Sequence, residues 1–150
     1  IPVAAKLLAE YPDKIAMPVD VALNKNGERI DVAVSALSND LPIADIGLET
    51  IVDYSKELKD ARVTVMNGPA GIFEQEKFKL GTSELLKASA ESDYSIAGGG
   101  HSVAAIEQLG LESKFSHVSM GGGASITYLS GEPLPGIEAL KKYALKVRKA

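Results

Sequence analysis

Three short apolar runs constrain this chain more than any other feature, because each ends in a glycine-rich turn and is followed by a helical pattern. Arg62-Val63-Thr64-Val65-Met66 leads into Asn67-Gly68-Pro69-Ala70-Gly71, with a helix expected over about 82–89. Tyr94-Ser95-Ile96-Ala97 leads into Gly98-Gly99-Gly100, with a helix carrying Val103, Ile106 and Leu109. Phe115-Ser116-His117-Val118-Ser119 leads into Gly121-Gly122-Gly123, with a further helix expected after it. Strands separated by helices pair in parallel through right-handed crossovers. All three glycine turns then lie at strand C-termini on one rim of the sheet, where open α/β sheets bind ligands. The expected fold is α/β, three-layered, with a mainly parallel, Rossmann-like sheet and no internal domain boundary across residues 1–150.

The flanking segments read less sharply. Residues 3–10 have apolar positions at helical spacing, ended by Tyr11-Pro12-Asp13. Ile15 to Leu23 is a hydrophobic run interrupted by Pro18 and Asp20, read as a strand with an irregular end. Asn24 to Glu28 is a turn by composition, and Ile30 to Val34 alternates as a short strand would. Leu37 to Asp45 reads as a loop, Ile51 to Leu58 as a helix, and the last segment as an amphipathic helix through Ile137, Leu140, Ala144 and Val147.

Composition narrows the function classes. With 45% hydrophobic and 24% charged residues, a chain of 150 can bury a substantial core. A net charge of −4 argues against nucleic acid or an anionic membrane as the main partner. It leaves small anions open, because helix N-termini bind phosphate without net positive charge. The absence of cysteine removes disulfides, thiolate metal sites and a Cys nucleophile. With no run of about 18 apolar residues and no signal peptide, a cytoplasmic location is expected. The chain lacks an initiator Met and starts on Ile1-Pro2-Val3, so it is expected to be part of something longer.

Gly98-Gly99-Gly100-His101-Ser102 permits positive φ and lets a ligand approach bare backbone, with unpaired helix amides aimed at the same point. A tight strand-to-helix turn would need the same residues, so both readings stand for this loop alone. Known phosphate signatures do not fit. A dinucleotide fingerprint from Gly98 requires glycine where Val103 stands, and no Gly-Lys pair exists for a Walker A loop. Gly121-Gly122-Gly123-Ala124-Ser125 repeats the device on the next strand, and the two turns would converge on one anion. Close backbone packing is the alternative there. Asn67 offers a donor and an acceptor, and Glu74 could accept from sugar hydroxyls or be a solvated surface charge. Phe73 reads as core and His117 as a core or sub-surface residue, whereas His101 starts a helix beside glycines.

Taken together, the three loops resemble phosphoglycerate kinase, in particular that family's C-terminal, nucleotide-binding domain. The resemblance is carried by Asn67 to Glu74, Phe78 with Gly81-Thr82, Ile96 to Ala105, Ser116 to Ser125 and Leu134 to Leu140. Met17-Pro18-Val19-Asp20-Val21 and Asp45-Ile46-Gly47-Leu48-Glu49-Thr50 also match, and order and spacing agree from about residue 13 to 140.

The resemblance implies an enzyme that transfers a phosphoryl group reversibly between 1,3-bisphosphoglycerate and ADP, giving 3-phosphoglycerate and ATP in glycolysis and gluconeogenesis. One domain binds phosphoglycerate, the other Mg-ADP or Mg-ATP, and closure aligns them for in-line transfer by positioning and charge stabilisation. By carry-over, Asn67 and Pro69 sit beside the nucleotide, Glu74 binds the ribose and Leu48 helps line the adenine pocket. Gly98, Gly99 and Gly100 meet the phosphates, with Gly99 and Gly100 donating amides to the transferring group. His101 and Ser102 lie at the nucleotide phosphates, and Gly121, Gly122 and Gly123 form a second amide cluster. Gly99, Gly100, Gly122 and Gly123 are thus the expected catalytic set, and no residue is expected to ligate the metal.

Two departures stand out. The usual family pattern puts Asp where His101 stands, and archaeal members resemble this chain in having His; Mg²⁺ prefers oxygen to imidazole. His101 is therefore expected to contact phosphate, directly or through water. Met66 replaces the usual Trp before Asn-Gly-Pro. The phosphoglycerate-binding domain and the early lysine-bearing strands are absent from the 150 residues, so the segment alone is expected to be inactive. Three further readings remain: a nucleotide-binding module without catalysis, an unrelated nicotinamide oxidoreductase, and a structural piece whose open sheet edge pairs with another chain.

Overall fold

The computed structural model describes residues 2–38 and 40–147. Helix α1 (Pro2–Glu10) precedes an antiparallel sheet of β1 (Asp20–Lys25), β2 (Glu28–Ala33) and β3 (Ile43–Ile46), in the order β2-β1-β3. Helix α2 (Leu48–Asp60) leads to a second, parallel sheet of β4 (Val63–Asn67), β5 (Tyr94–Gly98) and β6 (His117–Ser119). Between and after these strands come α3 (Leu80–Ser89), α4 (Gly100–Leu109), α5 (Gly122–Leu129) and α6 (Pro135–Val147). The three strand–turn–helix units read from the sequence are therefore the parallel half of the fold.

The antiparallel half differs from expectation. Its hairpin turns at Asn26 (φ 53°) and Gly27 (φ 87°), the pair of left-handed residues that a two-residue hairpin needs to match strand twist. The Gly27 N–H also donates to Asn24 Oδ1 at 2.7 Å. Part of the expected loop from Leu37 to Asp45 is strand β3, which pairs with β1 through Ala22–Asp45 and Leu23–Ile43. The register slips between those pairs, so Ala44 has no partner on β1. Its carbonyl instead accepts the Ile72 N–H at 2.8 Å. A four-residue strand with a bulge has too little alternation to read from sequence.

β1 is central and buried from Asp20 to Leu23, which explains why that run does not alternate. The main core lies against one face of the parallel sheet, where Phe73, Leu86, Ala97, Ala105, Ile106 and Phe115 pack with Met66 and Val118. Helices α3 and α4 supply that layer, and α5 packs on β5 across a groove on the opposite face. The parallel sheet thus lies between two helical layers. Among the described residues, no helix is long and apolar enough to cross a membrane.

Candidate functional site

The parallel ladder sets Asn67 opposite Gly98 and Gly98 opposite Ser119, so the three strands end level. Gly99 turns the chain with φ 94°, donates its N–H to Ser119 O at 3.1 Å and caps α4. Gly121 caps α5 and donates to Ser119 Oγ at 3.2 Å. A Cβ added to Gly122 would lie 2.5 Å from Gly99 Cα and 3.0 Å from Asn67 Oδ1. One added to Gly98 would lie 3.3 Å from the same Oδ1. The three turns therefore meet at one point, with the Asn67 carboxamide among them.

The glycines there divide into two kinds. Gly122 is fixed by backbone packing. Gly100 and Gly123 are not: neither has positive φ, and an added Cβ meets nothing within 4 Å. Both sit in first helical turns, where amides have no intrahelical acceptor. The first ladder bonds in these helices are Val103 N–H to Gly99 O and Ser125 N–H to Gly121 O. Six amides precede them, on residues 100–102 and 122–124, clustered on one rim.

The other expected residues fall around this centre. Pro69 lines a groove of about 440 Å³ with Pro18, Val21, Ile43, Ile46 and Ile72. Glu74 is exposed in the turn beyond it, and Phe73 is core as expected. Leu48 opens α2 half-exposed and does not line the Pro69 groove. His101 is exposed in the first turn of α4. Ser102 is buried, and its hydroxyl accepts the Gly68 N–H at 2.9 Å, which ties α4 to the first glycine loop. His117 does not lie in the core: it is exposed and borders a second, largely apolar groove of about 400 Å³ with Val65, Ile96, Ile126 and Leu129.

Beneath Pro69 lies a cluster that sequence reading missed. Asp45 is fully buried; its Oδ2 accepts from Arg29 Nη1 at 2.8 Å and from the Gly81 N–H at 2.9 Å. Arg29 also holds Asp31 and the Ile46 carbonyl. Burial works against the Arg29 charge, yet its bonds to Asp31 and Asp45 raise its pKa above the ordinary guanidinium value. Asp20, also buried, accepts from the amides of Glu49 and Thr50 and from the Thr50 hydroxyl. The available signal was a lone acid inside each apolar run, Val19-Asp20-Val21 and Ala44-Asp45-Ile46, where a charge must find partners. The described residues contain no group of three or more His, Asp or Glu side chains placed to hold a metal. The three turns, residues 67–71, 98–102 and 121–125, carry no carboxylate, the oxygen donor that Mg²⁺ usually takes from a protein.

A family model, phosphoglycerate kinase, matches residues 1–132. The chain belongs to the phosphoglycerate kinase family. It is 67% identical over 144 residues to phosphoglycerate kinase 1 of Methanosarcina acetivorans, covering 96% of this chain and 35% of that protein. It is 49% identical over 143 residues to the phosphoglycerate kinase of Methanothermus fervidus, covering 95% and 35%. Among solved structures, phosphoglycerate kinase from Pyrococcus horikoshii is similar at a TM-score of 0.84 with 39% identity, covering 93% of this chain and 36% of that one. The enzyme from Coxiella burnetii is similar at 0.82 with 34% identity, covering 91% and 38%. The chain spans about a third of the length of these relatives.

Proposed function

We propose that this chain is part of the C-terminal, nucleotide-binding domain of a cytoplasmic phosphoglycerate kinase and holds ADP or ATP at its glycine rim. The observation that carries the reading is the meeting of three bare-backbone turns, with Gly100 and Gly123 opening onto free space that packing does not require. Nucleotide phosphates lie over the amides of residues 100–102 and 122–124, which present the positive ends of two helix dipoles. Gly99, Gly100, Gly122 and Gly123 stabilise charge on the transferring phosphoryl group without proton chemistry. Pro69 holds the nucleoside at its groove, with Asn67 at the glycine rim and Glu74, in the turn beyond, taking the ribose hydroxyls. His101, exposed in the same first turn, reaches phosphate from the helix flank. Ser102 acts here through its bond to Gly68.

The protein residues supply amides and a shaped surface; a Mg²⁺ carried by the nucleotide would supply neutralisation of phosphate charge there. In this reading the phosphoglycerate substrate is bound by the two-thirds of the relatives' length outside the match. These 150 residues alone bind nucleotide and do not turn over. Calorimetric titration with ADP and with NAD tests the reading. Binding of ADP and not NAD is expected; binding of NAD alone, or of neither, overturns it.

A further inference from the structure

Resting on that nucleotide reading, we infer that Asp45, Arg29 and Thr82 are positioning residues that clamp Pro69–Ile72 into the shape that receives the nucleoside. None of the three belongs to the glycine rim, and their contacts explain the loop's shape. Residues 69–72 lack regular secondary structure, so their amides must be satisfied by something outside a helix or ladder. The Ala70 and Gly71 amides both donate to Thr82 Oγ1, at 3.0 and 3.2 Å. Ile72 N–H donates to the bulged Ala44 carbonyl. Every amide from 70 to 72 is thus held by α3 or β3.

The clamp is tight on its inner side. A Cβ on Gly71 would collide with the Asp45 carboxylate and lie 2.5 Å from the Phe78 carbonyl, and a Cβ on Gly81 would collide with Asp45 as well. The carboxylate therefore sits between the loop and the start of α3. It is pinned there by Arg29 Nη1, the Gly81 amide and the Ile46 amide, which donates to Oδ1 at 2.9 Å. Arg29 in turn spans to the Ile46 carbonyl at 2.9 Å. Buried charges arranged in this way leave a single low-energy geometry, because any shift strands a desolvated group. The loop is fixed before a ligand arrives, and ordering it on binding would otherwise weaken affinity.

The test compares two ligands and three substitutions in the full-length polypeptide. Thr82→Val keeps the side chain's shape and removes the shared acceptor; Thr82→Ser restores it. ADP needs the Pro69 limb, whereas pyrophosphate needs only the glycine rim. Thr82→Val is expected to weaken ADP about tenfold, equivalent to roughly 1.4 kcal/mol, while pyrophosphate affinity stays at the wild-type value and Thr82→Ser recovers ADP binding. Arg29→Gln, a second route to the same loop, is expected to show the same split between ligands. Equal loss for both ligands, or a lowered melting temperature with ADP binding unchanged, overturns the inference. A wild-type protein that binds neither ligand instead overturns the nucleotide reading on which the inference rests.

Discussion

Among the described residues, four helices begin beside strands, and their starts are finished in opposite ways. Next to the antiparallel sheet, α2 and α3 receive buried carboxylates from neighbouring strands: Asp20 on β1 accepts from the Glu49 and Thr50 amides, and Asp45 on β3 accepts from the Gly81 amide. Next to the parallel sheet, α4 and α5 start at Gly99 and Gly121 with no side-chain cap. A helix N-terminus carries partial positive charge and unpaired donors. Two of these ends already hold their anion, supplied by the protein. The other two are left open, side by side, on the rim. The same physical need is met internally where the fold must be rigid and left unmet where a ligand is proposed to bind.

Removing an internal anion should do the most damage. Asp45→Ala takes from Arg29, whose side chain is 14% exposed, its buried carboxylate partner, leaves it only the partly exposed Asp31, and bares the start of α3. Breaking a buried pair from one side typically costs about 3–5 kcal/mol. Urea unfolding is expected to show a loss of that size. A loss under about 1 kcal/mol, the level of an exposed pair, would show that the carboxylate is not the structural anion described.

Asp20 makes the same point with a pH signature. Burial alone would raise its pKa, but hydrogen bonds from Thr50 and Glu49 and the Arg29 charge outweigh it and hold the carboxyl below its usual 3.8. A depressed folded-state pKa adds stability that is complete above the unfolded value and lost as pH falls through the folded one. Asp20→Asn should therefore cost about 1–2 kcal/mol near neutral pH, the scale of a helix cap. The gap to wild type should close as pH drops below 3.8. A gap that persists unchanged at pH 2 would mean the ionised carboxylate is not its source.

The comparison also explains what the sequence disclosed. The open ends are written in repeated local text: an apolar run, a glycine turn and a helical pattern, three times over. Local periodicity and glycine are what sequence reading detects best, so the parallel half and the meeting of the turns were foreseen. The closed ends depend on residues 30 and 36 positions apart, Asp20 with Thr50 and Asp45 with Gly81. Nothing local marks such a pair, and a single acid in an apolar run is ambiguous until its partner is placed. His117 failed for a related reason: strand position alone did not reveal that its face of β6 borders an open groove.

The smallest expected effect on folding should accompany a large effect on binding, and this pairing separates open ends from closed ones. Gly100→Ala and Gly123→Ala place a methyl where nothing lies within 4 Å, at positions without positive φ. Alanine is favoured over glycine inside a helix by roughly 0.5–1 kcal/mol, so thermal unfolding should show stability unchanged or slightly raised. ADP affinity should nevertheless fall by about tenfold or more, roughly 1.4 kcal/mol, because the methyl occupies the space through which phosphate oxygens approach the amides. Variants that are more stable and still bind ADP at wild-type strength would show that this space is not where phosphate lies. The bare helix ends would then have to be explained by the backbone packing that fixes Gly122 against Gly99.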